Sequence, residues 1–434
     1  MSDVPQSLAN LEAWLETMRG PDGYGGPVVH WWQNCLSYTG PGLDWRYEGI
    51  ISGYLILWRK TGQEKWLQKA RRAGDDLVEG QLPAGNFRHS SFEQNPYTGG
   101  TPHEAAADLG LLRLSLALQE TGDPCLERYF AAAERNLQCF YLDRFWDEAA
   151  SAFRDIPDVP SLVPNKACTI VEALFDWAAL RESDEPIHRY ALPTMNAVLT
   201  LQVSEESPLH GAIAQNQING QVVAAYFPYY IARCIPAFLL TYQYTGDEKW
   251  LASAIAAGAF IARQIDDNGR LPQVLYERGQ KNTFPQWIAP LGDVLSALDA
   301  LRPYGFNYES AALQSAFIDG QLPGGGFRTA FGFGSQISQQ SPNGSPDDFR
   351  DLMAVTGWCD KGFAYLATIL AEDELLPEPD LGECILPCSI RGQAATWRET
   401  AEEMNLTLAN GHRLYHWRKG QNWADVVTPE LLWR

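Results

Sequence analysis

Between Gln81 and Asp108 the stretch QLPAGNFRHSSFEQNPYTGGTPHEAAAD gathers Arg88, His89, Glu93, His103, Glu104 and Asp108, then runs straight into the apolar ADLGLLRLSLAL. A helix starting near His103 sets Glu104 and Asp108 one turn apart on the same face. Two carboxylates that close in a partly dry site cannot both ionise freely, so one takes a raised pKa, as a general acid at neutral pH requires. The competing expectation is a structural ion pair of Asp108 with Arg113, Arg88 or a helix N-terminus.

Asp44, ahead of Trp45-Arg46, is either a second pocket carboxylate or a helix cap. His89 and His103 read as substrate contacts or as ordinary polar histidines. Arg88 and Arg328 close two copies of GQLPxGxFR and could grip a ligand carboxylate or phosphate, or serve the scaffold that repeats them. Asp348 and Asp351 are alternative acid/base or binding residues, and also plausible caps. Trp45, Trp287 and Trp358 could stack on sugar rings or simply pack the core. Cys384, Cys388, His412 and His416 have the ligand types of a structural zinc site, against two buried cysteines and two strand histidines. No other cofactor is expected.

Elements must bring these residues together. LDWRYEGIISGYLILWRKTG is apolar around most of its circumference, whereas QEKWLQKARRAGDDLVEG is apolar on one face, which predicts a buried helix followed by a surface helix. The couplet returns as AFLLTYQYTGDEKWLASAIAAGAFIARQID, and a third copy keeps Thr121-Gly122. Each Thr-Gly closes a buried helix, since glycine tolerates the left-handed end. Buried helices are expected over 44–59, 103–119, 164–181, 222–243, 286–303 and 349–370, a period of roughly 60 residues of helix pairs. That period is too long for the usual helical solenoids. It predicts an all-α (α/α)6 toroid over 1–378, followed by a short β-rich extension over 379–434. In such a ring the long loops entering the inner helices meet at one end, where function belongs.

The chain has 434 residues and a formal charge of -20, which disfavours nucleic acid and anionic membrane surfaces as partners. No stretch approaches 18 uncharged apolar residues. The cysteines sit mainly in helical patterns, and a cytoplasmic location is expected. The oligomeric state stays open.

Leu43-Asp44, Thr61-Gly62, Asn86-Phe87-Arg88-His89 and Pro102-His103 running to Asp108-Leu109-Gly110 resemble the unsaturated glucuronyl and rhamnogalacturonyl hydrolases of the six-hairpin glycosidase superfamily. The resemblance implies a toroid acting on a small, unsaturated uronyl saccharide. It implies Asp108 as the general acid/base, Asp44 as second carboxylate and His89 as a substrate contact. Ala107 and Asn86 depart from the family pattern. Two alternatives stand beside the hydrolase: a sugar isomerase or epimerase using histidine as base, and a non-catalytic toroid binding a sugar or a protein.

Overall fold

The computed structural model describes residues 3–27, 41–88, 104–333, 347–390 and 392–425, and the backbone of 29–30, 35–36 and 426. Six inner helical segments form a closed ring. They are α2 (Arg46–Thr61), α4 (Glu104–Glu120), α6 (Pro164–Arg181), the pair α8 (Pro228–Ala232) and α9 (Ile235–Thr245), α11 (Leu291–Ala300) and α14 (Thr356–Ile369). Each packs on the next, and α14 returns to pack along α2, which closes the circle. The outer layer is α3 (Glu64–Glu79), α5 (Leu126–Asn136), α7 (Leu192–Leu199), α10 (Glu248–Ala262), α12 (Ala311–Ile318) and, beside α14, the N-terminal α1 (Val4–Met18). The (α/α)6 toroid is therefore the architecture of this chain.

Sequence pattern and structure agree on how the hairpins are made. The buried face of α3 is Trp66, Leu67, Ala70, Ala73 and Leu77 with two small or acidic neighbours, as its amphipathic pattern requires. Helices α2 and α9 end on threonine, and the following Gly62 and Gly246 take left-handed backbone at φ 65° and 68°.

Three expected helices are shorter or broken. The 222–243 segment opens with strand pairs, and its helix is interrupted at Arg233-Cys234. Pro236 stands within the first two positions of α9 and supplies no backbone N–H to continue the preceding turn. The 286–303 segment begins as a strand, Gln286–Trp287, and turns helical only after Pro290. The 349–370 segment is a one-turn helix α13 (Phe349–Leu352), an extended link, then α14.

A five-stranded antiparallel meander follows, β1 (Cys384–Ile390), β2 (Gln393–Glu399), β3 (Glu403–Leu408), β4 (Arg413–Arg418) and β5 (Asp425–Val426). Its buried Trp397, Tyr415 and Trp417 give it an apolar face. Trp14 of α1 donates its indole N–H to Glu399 at 2.6 Å, and Ser389 N–H bonds the Asp347 carbonyl at 2.8 Å, so the sheet is seated on the outer layer and on the approach to α13.

Candidate functional site

Two Asp-x-Arg triplets shape the loops that lead into the ring. Asp44 is fully buried and accepts from its neighbour's guanidinium at 2.8 Å (Arg46 Nε) and 3.1 Å (Arg46 Nη2). Asp348 holds Arg350 in the same fork, at 2.7 and 3.0 Å. Both aspartates also accept the backbone N–H of that arginine. A bidentate fork of this kind fixes a turn rigidly. Asp44 and Asp348 thus act as turn-forming groups in this structure. Asp351 completes a capping box with Asp348, accepting from the Asp348 N–H at 3.2 Å and from the Phe333 N–H at 3.1 Å. Burial pushes its carboxyl up to about 7, against the pull of the Phe333 N–H.

Glu104 and Asp108 share a helix face, as expected, but they differ in their surroundings. Glu104 accepts the Phe87 N–H at 3.2 Å and the Asn136 side-chain amide at 2.6 Å, tying the GQLPAGNFR loop to outer helix α5. Asp108 lies beside Glu104 and Tyr141, fully buried, and neither carboxylate oxygen has a hydrogen-bond partner among the described residues. Burial first, then the charge of Glu104, push its pKa well above the usual carboxylate range. The expected structural partners are engaged elsewhere. Arg113 bonds Ser52 and Glu172, and Arg88 sits 3.6 Å from exposed Asp22.

Each GQLPxGxFR copy builds the same turn. The side-chain amide of Gln81 bridges the Gly85 and Ala132 carbonyls, and that of Gln321 bridges Gly325 and Ser7. Arg328 pairs with Asp347 at 2.8 Å. The repeat serves the scaffold, and neither arginine is directed at the ring axis by these contacts.

Aromatic side chains from four inner hairpins meet at the helix-start end. Trp358 lies 6.4 Å from Trp45, 5.5 Å from Trp287 and 5.7 Å from Tyr229, ring centre to ring centre. Trp45 donates to the Gly357 carbonyl at 2.7 Å, whereas the buried Trp358 N–H has no acceptor among the described residues. Tyr229 donates its hydroxyl to Asp293 at 3.0 Å. Arg233, at the break between α8 and α9, reaches Asp293 at 3.4 Å and grips Glu48 at 2.9 and 3.1 Å. Lys361 adds a 2.6 Å bond to Glu48 and lies 3.1 Å from Asp360. Burial raises the Glu48 carboxyl, but Arg233, Lys361 and Arg113 outweigh it and hold the pKa down to about 2. This is an ion network shared by α2, α8, α11 and α14, beneath a cup of indoles.

The sequence reading missed Glu48, Arg233, Asp293, Lys361 and Tyr229. Their signal was available: each charge interrupts an otherwise apolar inner helix, and charges are buried only when paired. Trp45, Trp287 and Trp358 do converge. His89 and His103 lie outside the described residues. The zinc arrangement is corrected by strand order, because β2 and β3 stand between the cysteines of β1 and His416 of β4. That separation is roughly 14 Å at about 4.8 Å per strand. His412 is exposed, and His416 bonds Glu403 at 3.0 Å.

No protein-family model matches the chain, and no curated protein matches it. Solved structures do: the chain has the fold of the six-hairpin toroid enzymes. A D-mannose isomerase superposes with a TM-score of 0.61 at 12% identity, covering 84% of this chain and 96% of that one. A cellobiose 2-epimerase from Bacillus thermoamylovorans B4167 gives 0.59 at 12% identity, over 84% and 98% of the two chains. The unsaturated glucuronyl hydrolase of Bacillus sp. GL1, responsible for degradation of glycosaminoglycan, gives 0.58 at 13% identity, over 85% and 96%.

Proposed function

We propose that this chain is a saccharide-processing enzyme, a hydrolase in which Asp108 supplies the proton and the indole cup with its ion floor receives the sugar. The observation that carries the reading is the isolation of Asp108. A buried carboxyl with no hydrogen-bond partner among the described residues costs stability, on the order of 1–3 kcal/mol, and adds nothing to the scaffold they form. Such a group, its pKa pushed well above the usual carboxylate range by burial, is what proton donation to a leaving oxygen or a vinyl ether carbon calls for. The Trp358 N–H, without an acceptor among the described residues, supports the cup as the sugar-binding surface, since a ligand hydroxyl would satisfy it. Trp45, Trp287, Trp358 and Tyr229 would pack on the pyranose faces, while Arg233 and Asp293 offer donor and acceptor to its hydroxyls. Glu104 positions the loop and Asp44 the turn before α2, so neither takes a proton-transfer role in this reading.

A second reading, isomerisation or epimerisation of a free sugar, is favoured by the Tyr229–Asp293–Arg233 chain at the axis, a hydrogen-bonded set able to move a proton. One experiment separates the two. The purified chain is incubated with a panel of unsaturated uronyl disaccharides, neutral disaccharides and free hexoses, scored for loss of 235 nm absorbance, new reducing ends and interconverted sugars. Hydrolysis that disappears in Asp108→Asn supports the first reading. Sugar interconversion that survives Asp108→Asn and disappears in Asp293→Asn replaces it with the second.

A further inference from the structure

We propose that the opposite end of the ring, where the Thr-Gly turns lie, holds a second ligand site that takes a small organic cation: a primary ammonium on an apolar body. The inference does not depend on the sugar reading. A cavity of about 570 Å³ opens between the C-terminal halves of α2, α4 and α6 and the middle of α9. Its collar is apolar, formed by Leu55, Ile56, Leu116 and Leu240, and its deep wall carries Glu172 and Asp176.

The charges on that wall do not balance. Arg113 donates to Glu172 Oε2 at 3.2 Å and stands 3.8 Å from Asp176, so one guanidinium contacts both carboxylates, while Arg233, the other cation acting on Glu172, is already bonded to Glu48 and Asp293. Glu48, 3.8 Å from Arg113 on the other side, is already satisfied by Arg233 and Lys361, and Arg59 is paired with Glu120 at the rim. Glu172 is 3% exposed, lines the cavity, and its Oε1 has no hydrogen-bond partner among the described residues. Burial accordingly pushes Glu172 up to about 7, against Arg233 and Arg113. Oε1 has almost no accessible surface as it stands, so a cationic donor in the cavity would engage it by a small rotation of the carboxyl group, filling the unpaired acceptor and supplying the missing charge. A metal ion suits the wall poorly: among the described residues no group of three or more His, Cys, Asp or Glu stands together to ligate one. The collar instead suits carbon, and the volume admits a ligand of drug-fragment size. Because Arg113 touches both Glu172 and Glu48, occupancy here would be felt in the ion floor beneath the indole cup.

Calorimetric titration of the full chain with benzylamine, benzyl alcohol and benzoate tests the site with three probes of one shape and different charge. Benzylamine should bind saturably at one site, at least roughly tenfold more tightly than benzyl alcohol, with benzoate weaker still, as a charge-assisted bond predicts. Glu172→Gln, which keeps an acceptor for Arg113, should weaken benzylamine roughly tenfold. Leu240→Trp fills the collar without touching the ion network and should abolish binding. Equal affinity for benzylamine and benzyl alcohol, no saturable binding of benzylamine, or an affinity unchanged in both variants would each overturn the proposal.

Discussion

Asp108 and Asp360 occupy matching places and live different lives. Each is the fifth residue of an inner helix, each stands two residues before a glycine, in Asp108-Leu109-Gly110 and Asp360-Lys361-Gly362, and each is fully buried. Burial pushes both carboxyls well above their usual range. Asp360 accepts the Gly49 N–H and the Lys361 ammonium, both at 3.1 Å, which couples α14 to α2 where the ring closes. Asp108 has no such partners among the described residues and couples nothing. Burial alone therefore does not separate a structural aspartate from a functional one. The partner set does, because a paired group returns stability for its desolvation and an unpaired one does not.

That contrast can be broken by substitution. Asp108→Asn should lower kcat about 10³-fold on whichever saccharide the panel identifies while leaving the melting temperature unchanged or slightly raised. Full activity in that variant would remove Asp108 from the chemistry. Glu48→Gln, which leaves Arg233 and Lys361 only Asp293 and Asp360 as charged partners, should cost about 3 kcal/mol in urea unfolding, since removing one member of a buried ion network leaves the others undercompensated. Asp360→Asn keeps an acceptor for the Gly49 N–H and loses only the ion pair, so about 1 kcal/mol is expected by the same measurement. A loss as small as that of Asp108→Asn would mean the two aspartates do not differ in scaffold role.

The pH dependence of stability sharpens the comparison. The folded-state pKa of Asp351 is raised to about 7, so the native chain holds a proton that the unfolded chain releases near pH 4. Its contribution is fully present below that unfolded value and is lost as pH rises towards 7. Asp351→Asn should flatten the fall in stability between pH 4 and 7, by an amount on the order of a few kcal/mol in urea midpoints taken at both ends. A slope identical to that of the parent chain would show that other carboxyls, Glu172 and Asp176 among them, control this window. The smallest effect belongs to Arg88→Ala. Its partner Asp22 is 3.6 Å away and both side chains are more than a third exposed, so less than about 0.5 kcal/mol is expected.

Much of the ring was legible because its signals are local. Aromatic-x-x-Thr-Gly marks where an inner helix stops, and the single apolar face of α3 marks an outer one; both follow from period and glycine chemistry alone. The helix breaks before α9 and α11 were also written in the chain, as Pro236 and Pro290, but apolar runs on either side masked them. The site was less legible. Glu104 and Asp108 are identical in kind and four residues apart, and only the loop folding back shows that the first accepts the Phe87 N–H while the second accepts nothing from the described residues. Cys384, Cys388, His412 and His416 looked like a ligand set by type; two intervening strands keep them apart.

The sequence by itself determined the repeat, the hairpin period and the end of the ring at which long loops gather, since these depend on residues near one another along the chain. Tertiary structure alone decided which buried charges are satisfied. Glu48 meets Arg233 across 185 positions and Lys361 across 313, separations over which no local pattern carries information. The energy of a buried carboxyl depends on the few ångströms around it, and closing the ring is what brings those neighbours in.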